Sequence, residues 1–398
     1  MTQLLEGLKV IDAASFLAGP GAATVLGDYG ADVIKVEPPS GDGYRTLSAP
    51  YRVDYNWMLT SRNKRSIAID LSRSAGQRLL QKLIDGADVF IVNYFDDQLA
   101  RFGIDYASVR ERNPRLIFAR LSAYGSRGPE ADKRGFDSTG WWARTGMMDL
   151  VRDQGQAPVM GAPGFGDHSS AMSLFGAIML GLYRRERTGE GSFVETSLFA
   201  NGVWANVMQV QGAIAGFDLG RIRQEKGLQN PFTSVYATAD GRHLLLAAIN
   251  VMKEWPRLCR ALAQEAWLDD ERFVDQRTLM RNRLDLKALM TAVFSKLSLK
   301  EARERLESHG VTFSVVQNLD EVITDAQARA SGVIVETGST DPDYRLTVAS
   351  PIEVHEVPKR TSGAAPAIGE HSIEILQGIG CTQAEIATLL EQKVIRTP

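Results

Sequence analysis

A glycine-rich segment, residues 164–168, carries the residue types best suited to chemistry. It reads Gly-Phe-Gly-Asp-His, and Asp167 stands where this loop becomes a helix that we predict from Ser169 to about Arg187. A carboxylate held beside the free N–H groups of a helix start can act as a nucleophile or a base. Asp is equally a common N-cap residue, which requires no catalysis. Neighbouring residues do not share a helix face, so His168 is not a convincing partner for Asp167.

A basic run, Arg62-Asn63-Lys64-Arg65-Ser66, lies just before a predicted strand. Arg and Lys donate charge-assisted hydrogen bonds, so a cluster of cations suits a phosphate-rich ligand. A charged run of this kind is also common in a solvated turn. On these residues alone both interpretations stay open.

The first loop of the chain resembles a dinucleotide-binding turn but departs from its pattern. Gly19 and Gly21 lie between a predicted strand and helix, and Glu37 ends the next strand, where an acid could bind a ribose. The fingerprint requires a third glycine at position 24, which is Thr24, and Pro20 interrupts the motif. The loop therefore predicts either a tight turn for close packing or a Rossmann-like contact with another nucleotide ligand.

Composition excludes several classes of protein. The chain has 398 residues, 44% hydrophobic and 23% charged, with a net charge of −3, which does not fit a mainly disordered chain or a basic nucleic-acid-binding domain. Cys259 and Cys381 are the only cysteines, and the histidines lack metal-ligand spacing, so we expect neither a disulfide framework nor a metal site. The most apolar stretch, 171–182, is too short to span a membrane. We expect a soluble, cytoplasmic protein.

Strands and helices alternate through the first 190 residues. This pattern favours an α/β fold with a parallel sheet covered on both faces. The predicted strands are 8–14, 33–37, 67–71, 89–92 and 116–121, and the predicted helices are 22–28, 74–84, 106–112 and 169–187.

The pattern changes after about residue 230. Residues 234–238 and 243–248 alternate like two strands, and Asp240-Gly241 between them is a typical hairpin turn. Helical segments at 253–263, 283–297 and 299–309 follow, with a further strand at 311–317. This region predicts a separate small α+β domain.

Together these segments resemble the family III CoA-transferases, which include formyl-CoA and carnitine CoA-transferases and a relative, α-methylacyl-CoA racemase. The resemblance covers essentially the whole chain and rests on motifs that occur in the family's order. They lie at 5–12, 18–20 with 26–37, 62–66, 92–94 with 101–103, 166–167 and 369–371.

The resemblance implies a transfer of CoA from an acyl-CoA to a free carboxylic acid. Asp167 would be the nucleophile and would carry first a mixed anhydride and then a CoA thioester, while Asp137 would assist it. CoA would be substrate and product, and no cofactor would be permanently bound. Residues implied near the pantetheine, the phosphates and the rest of CoA are Phe16, Leu17, Ala18, Arg62, Lys64, Arg65, Asn93, Tyr94, Arg101 and Arg134.

Two alternatives remain beside the transferase. The racemase relative uses a His in a Gly-His-Asp motif, whereas this chain has Phe136 between Gly135 and Asp137, and a phenyl ring cannot carry a proton. A CoA-binding protein without catalysis would need Asp167 to be lost, and it is present.

The resemblance also implies an architecture. A Rossmann-like large domain would be built from residues 1–200 and 346–398, with a small α+β domain at 224–319 and linkers at 201–223 and 320–345. Two chains would form an interlocked homodimer. We expect acyl-CoA and a small carboxylic acid as partners, and neither nucleic acid nor a membrane.

Overall fold

In the computed structural model, the described residues are 3–47, 51–152, 155–217 and 230–398. The chain divides into two units, Met1–Gln211 with Arg329–Pro398, and Gly212–Ala328. Parts of the predicted linker 201–223 and the predicted start of the small domain at 224 lie outside the described residues.

The strands are short and most lie in the first unit. They are β1 Lys9–Asp12, β2 Asp32–Glu37, β3 Lys64–Ile69, β4 Val89–Val92, β5 Ile117–Ser122, β6 Ser192–Ser197, β7 Val235–Ala237, β8 His243–Leu246, β9 Phe313–Val315, β10 Ile334–Glu336, β11 Leu346–Val348 and β12 Ile395–Arg396.

Helices separate most of these strands. They are α1 Ala18–Asp28, α2 Tyr55–Ser61, α3 Ser74–Asp85, α4 Asp96–Phe102, α5 Tyr106–Arg112, α6 Met147–Val151, α7 Phe165–Thr188, α8 Leu198–Ala205, α9 Val207–Ile214, α10 Val251–Ala261, α11 Gln276–Arg281, α12 Arg283–Phe294, α13 Leu299–Ser308, α14 Leu319–Thr324, α15 Ala326–Ala330, α16 Ser372–Gly378 and α17 Gln383–Glu391. A π-helical segment, Asp137–Ala143, precedes α6.

The larger unit is built on a seven-stranded sheet in the order β12-β3-β2-β1-β4-β5-β6. Its strands are parallel except β12, which pairs antiparallel with β3. The chain reverses its direction of winding between β1 and β4, and the carboxyl ends of strands at such a switch point are where open α/β sheets bind ligands. The prediction of an α/β fold is confirmed, and the fold directs attention to the loops that follow β1 and β4.

Apolar side chains cover both faces of this sheet. On one face α1 packs against α7, and a Cβ added to Gly21 would lie 3.0 Å from the Cβ of Ala171. Leu26, Ile91 and Leu174 are completely buried in this layer. Close packing of this kind fixes the position of α7, the helix that carries Asp167.

Two predicted helices begin earlier than the sequence suggested. Helix α1 begins at Ala18 rather than at residue 22, because Pro20 lies in its first turn, where a missing N–H costs nothing. Helix α7 begins at Phe165 rather than at Ser169, with Gly164 as its N-cap. Asp167 is therefore the third residue of the first turn, and it is not the N-cap.

The smaller unit has an antiparallel sheet of β7, β8 and β9. The predicted hairpin is present, and Gly241 in its turn has a φ of 73°. Helices α10, α12 and α13 supply buried residues to the core of this unit, among them Leu258, Met290 and Leu306. Across the described residues, no helix is long and apolar enough to cross a membrane, and no three His, Cys, Asp or Glu side chains are grouped to hold a metal ion.

Candidate active site

The side chain of Asp167 is half-buried in the first turn of α7. Gly164 caps this helix with a φ of 91°, a left-handed conformation that favours glycine. Within the described part of the chain, no hydrogen bond or ion pair reaches the Asp167 carboxylate. A carboxylate that is partly shielded from water and has no partner is costly to ionise, which is unusual outside a functional site.

Asp137 fixes the backbone that leads into Asp167. Its buried carboxylate accepts hydrogen bonds from the N–H of Gly164 at 2.7 Å and from the N–H of Gly166 at 3.0 Å. A Cβ on Gly166 would lie 2.2 Å from Asp137 Oδ1 and 2.3 Å from Trp141 Cγ, so only glycine fits. Asp137, predicted to assist catalysis, therefore has both oxygens bonded to the backbone and acts on Asp167 by holding this turn.

Burial is the main cause that raises the pKa of both carboxyl groups, Asp167 and Asp137. Burial, and then the charge of Asp137, raise the pKa of Asp167 to about 7. Burial also raises the pKa of Asp137, and the hydrogen bonds from Gly164 and Gly166 offset only part of that effect. Asp167 is therefore a more basic carboxylate than an exposed Asp and ionises near neutral pH.

Exposed aromatic rings occur around this turn. Phe16 and Phe136 form an edge-to-face pair with ring centroids 5.7 Å apart, and Phe165 lies 6.0 Å from the Trp142 ring. Phe136 and Phe165 are each 60% exposed, although aromatic rings of this size are usually more deeply buried. Phe16 has a φ of 65°, a strained conformation for a non-glycine residue.

The loop after β1 is held by hydrogen bonds from the end of β4 and from Asp42. Asn93 Oδ1 accepts from the N–H of Ser15, and Asn93 Nδ2 donates to the Ser15 carbonyl, both at 3.0 Å. The N–H of Phe16 donates to Asp42 Oδ1 at 3.2 Å. A Cβ on Gly164 would lie 3.6 Å from Leu17 Cδ1, so this loop reaches the turn that carries Asp167.

A buried cluster of charged residues, Asp12, Lys35, Asp42 and Lys64, supports the same loop. Lys35 Nζ lies 2.9 Å from Asp42 and 4.0 Å from Asp12, and also donates to the Ala14 carbonyl. Lys64 Nζ donates to Asp12 at 2.8 Å, and burial lowers the pKa of Lys64 to about 8. Sequence reasoning missed Asp12, Lys35 and Asp42. For Asp12 and Lys35 the signal was a charged residue inside a predicted apolar strand, whereas Asp42 lies in the turn after β2.

Glu37, the acid that a dinucleotide-binding turn would use to bind a ribose, is buried. Its carboxylate accepts two hydrogen bonds from Arg45 at 2.8 Å and one from Ser66 at 2.7 Å. The N–H of Asp42 donates to it as well, at 3.0 Å. With both oxygens bonded inside the protein, Glu37 has no acceptor available for a ribose, and its role is to hold the 42–45 turn.

The basic run 62–66 does not present its cations together. Arg62 is buried and forms a two-pronged ion pair with Asp28, at 3.0 and 2.7 Å. The side chain of Lys64 is completely buried, and Arg65 pairs with Asp32 and Glu374 at the surface. Residues 64–66 lie within β3 rather than before a strand. To reach a phosphate, Arg62 and Lys64 would have to break buried ion pairs with Asp28 and Asp12.

The other residues predicted to bind CoA are either more exposed than Arg62 and Lys64 or lie near the loop after β1. Arg101 and Arg134 are exposed and form no ion pair within the described residues; the Arg101 guanidinium lies 4.9 Å from the Phe102 ring centroid. Tyr94 is half-buried with its ring 5.9 Å from that of Phe102. Ala18 is buried at the start of α1. Among the predicted cations, Arg101 and Arg134 are thus the ones without an ion-pair partner in the part of the chain that the structure describes.

The family model described as CoA-transferase family III matches residues 5–372. The chain belongs to this family. This family III CoA-transferase is 31% identical to (R)-2-hydroxy-4-methylpentanoate CoA-transferase of Clostridioides difficile, covering 99% of this chain and 100% of that protein. It is 30% identical to succinate–glutarate CoA-transferase of Agrobacterium fabrum, covering 94% of each.

A solved structure agrees with the fold. The CaiB/BaiF family protein of Brucella suis superimposes on this family III CoA-transferase with a TM-score of 0.82 and 28% sequence identity. The match covers 95% of this chain and 100% of that structure. The resemblance identified from the motifs is therefore confirmed, and the chain is an enzyme of the CoA-transferase class.

Proposed function

We propose that this enzyme moves CoA from an acyl-CoA donor to a free carboxylic acid, with Asp167 as the nucleophile. The observation that carries the proposal is the Asp167 carboxylate, which is half-buried, has no partner in the described chain, and has a pKa raised to about 7. The names of the two curated relatives, each a CoA-transferase, support the reaction class.

The reaction proceeds through two intermediates on Asp167. A carboxylate oxygen attacks the thioester carbonyl carbon, the C–S bond breaks, and CoA leaves as a thiolate from a mixed anhydride. The thiolate then attacks the Asp167 carbonyl carbon, the C–O bond breaks, and the donor acid leaves as a carboxylate. The acceptor carboxylate and the same thiolate repeat these steps in reverse and restore Asp167. No water enters, so little of the thioester energy is lost.

The start of α7 suits this chemistry. Each tetrahedral intermediate places negative charge on an oxygen beside Asp167, and helix N-termini present free N–H groups with a favourable dipole. The N–H groups of Gly164 and Gly166 already donate to Asp137. The backbone N–H of Asp167 has no acceptor among the described residues. The N–H of Asp167 is thus available to an oxyanion.

CoA would lie along the loops at the switch point of the sheet. Phe16, Leu17 and Ala18 would border the pantetheine, and Asn93, with Tyr94 next to it, keeps that loop in place. Arg101 and Arg134, which form no ion pair within the described residues, would bind phosphate groups, and Arg65 would need only to open surface ion pairs. Lys64 would act from beneath the site, through its buried pair with Asp12, and Arg62 would act through its buried pair with Asp28 at the end of α1.

We also propose that the enzyme is an interlocked homodimer with the split large domain implied by the resemblance. Helix α9 has a mostly apolar sequence and no buried residue, and Trp204 and Met208 are 74% and 78% exposed. Such a surface is expected to be covered by a partner. Light scattering during gel filtration should give twice the 43.7 kDa mass of one chain, and a mass of a single chain at micromolar concentration would contradict the dimer.

Two measurements test the transferase. Incubation with a panel of acyl-CoA donors, followed by mass spectrometry, should show an acyl or CoA adduct on the peptide that contains Asp167. The same donors in heavy water, without an added acid, should show no deuterium at the carbon alpha to the thioester. Deuterium exchange at the alpha carbon without any adduct would instead support the racemase. If no donor gives either an exchange or an adduct, the protein would be a CoA-binding protein without catalysis.

A further inference from the structure

Ser170 has a completely buried hydroxyl without a hydrogen-bond partner. The residue lies in α7, is 0% exposed, and its Oγ atom forms no hydrogen bond with any of the described residues. A serine within a helix often donates to a carbonyl three or four residues earlier. On the same helix, Ser169 donates to the Gly166 carbonyl at 2.9 Å, and Ser173 donates to the Ser169 carbonyl at 3.2 Å. Buried polar groups are nearly always paired, so the hydroxyl of Ser170 is an exception.

The hydroxyl lies one helical turn from the nucleophile. Residues three or four apart share a face of a helix, with Cβ atoms about 5–6 Å apart, and Asp167 and Ser170 are three apart in α7. Helical side chains also lean towards the N-terminus, over the residues three and four positions earlier. For Ser170 these residues are Asp167 and Gly166, and Gly166 has no side chain to separate the hydroxyl from the first turn.

The two neighbouring groups are complementary, and both are unpaired. The Asp167 carboxylate has no hydrogen bond or ion pair within the part of the chain that the structure describes. An ionised carboxylate accepts hydrogen bonds, and a serine hydroxyl can turn its proton towards an acceptor. Catalytic hydrogen bonds are often long in a free enzyme and tighten only when the reacting group is bound. We therefore expect this hydrogen bond in the reacting enzyme.

The proposed transfer requires oxyanion donors at two places. In the first and last steps the attacked carbon belongs to the acyl group, and the charge develops on the acyl oxygen. In the two middle steps the CoA thiolate and then the acceptor carboxylate attack the side-chain carbonyl carbon of Asp167 itself. The charge then develops on the Asp167 oxygen, so its donor has to be a protein group next to this side chain.

We propose that Ser170 is a further catalytic residue, whose hydroxyl donates a hydrogen bond to the side-chain oxygen of Asp167 while Asp167 carries the acyl group or CoA. This inference rests on the proposed transferase function. The hydrogen bond strengthens as that oxygen becomes an oxyanion in each middle step. The proton stays on Ser170 throughout, so the bonds formed and broken in the transfer are unchanged.

The test compares Ser170→Ala with the wild-type enzyme. Removal of one oxyanion donor typically lowers kcat by about 10²–10³-fold, and we expect a loss near the lower end. Because only the middle steps slow, mass spectrometry at early quench times should show more acyl adduct relative to CoA adduct on the peptide that contains Asp167. The thermal unfolding midpoint should stay the same or rise, since no hydrogen bond within the protein is lost and alanine favours a helix.

Ser350→Ala is the matched control. Ser350 follows β11 and is also a buried serine whose hydroxyl has no partner among the described residues. Its replacement removes the same kind of group from a part of the chain without a proposed role in the reaction. We expect wild-type kcat and the wild-type ratio of the two adducts.

The outcomes separate the two proposals. Wild-type rates of transfer in Ser170→Ala, with the Asp167 adducts still formed, would overturn the role of Ser170 and leave the transferase intact. A lowered kcat with the wild-type ratio of the two adducts would also overturn it, because a general defect of the site slows every step. A fall in the unfolding midpoint would do the same, since the hydroxyl would then have a structural partner. Absence of any adduct in the wild-type enzyme with every donor would overturn both proposals.

Discussion

Asp167→Asn is expected to abolish CoA transfer and, above pH 7, to make the folded enzyme more stable. An amide can form neither the anhydride nor the thioester on this side chain, and loss of an essential nucleophile typically lowers kcat by at least about 10³-fold. The adduct on the peptide that contains Asp167 should disappear with the activity. A variant that keeps both would exclude Asp167 as the nucleophile.

The gain in stability follows from the raised pKa. The pKa of Asp167 is raised to about 7 in the folded state, against an ordinary value of 3.8 for an Asp side chain. The folded state therefore binds more protons than the unfolded state between these values, and the free energy of unfolding falls as the pH rises through that window. Because the side chain is only half-buried, solvent screening limits the effect to about 1 kcal/mol.

Urea unfolding at pH 5 and pH 8 measures this effect. From pH 5 to pH 8, the free energy of unfolding of the wild-type enzyme should fall relative to that of Asp167→Asn. Asp269→Asn, which removes an exposed carboxylate in the smaller unit, should not reproduce the difference. The same ionisation predicts that kcat/KM of the wild-type enzyme rises with pH through about 7. If the difference in the free energy of unfolding between the wild-type enzyme and Asp167→Asn were the same at pH 5 and pH 8, the raised pKa of Asp167 would be contradicted.

The parts of the site that follow from local pattern were predictable from the sequence. The alternation of strands and helices predicted the α/β fold, and Gly166-Asp167 was identified as part of a motif. The start of α7 was placed four residues late, at Ser169. Its cap is Gly164 in a left-handed conformation, and glycine at that position suggested a loop.

The parts that depend on distant pairing were not predictable. Three cations in the run 62–66 suggested an exposed cluster, because the residues that bury them are far away in the chain. Arg62 pairs with Asp28, which is 34 residues away in the sequence, and Lys64 pairs with Asp12, which is 52 residues away. One sequence does not reveal such pairs. The Asp42 carboxylate that accepts from the N–H groups of Phe16 and Tyr44 was missed for the same reason, since its main partner Lys35 lies on another element.

Asp137→Asn is expected to lower kcat and to change the pH profile in the same variant. Gly164 and Gly166 donate to different oxygens of Asp137. Asn replaces one of these oxygens by an NH2 group, which donates instead of accepting, so one of the two hydrogen bonds is lost and the turn before Asp167 loosens. A misplacement of about 1 Å in a catalytic group can cost about 10²-fold in rate. Loss of the Asp137 charge removes one of the two causes of the raised pKa of Asp167. The inflection of kcat/KM should therefore move below pH 7.

Gly166→Ala separates these two effects. Its methyl group would lie 2.2 Å from Asp137 Oδ1, so it displaces the same turn while the Asp137 charge remains. We expect a fall in kcat similar to that of Asp137→Asn, without the shift of the inflection to lower pH. Rate–pH profiles for the two variants and the wild-type enzyme make the comparison. Wild-type turnover in Asp137→Asn would show that its hydrogen bonds do not position Asp167, whereas a lowered rate with an unmoved inflection would show that its charge does not reach the nucleophile.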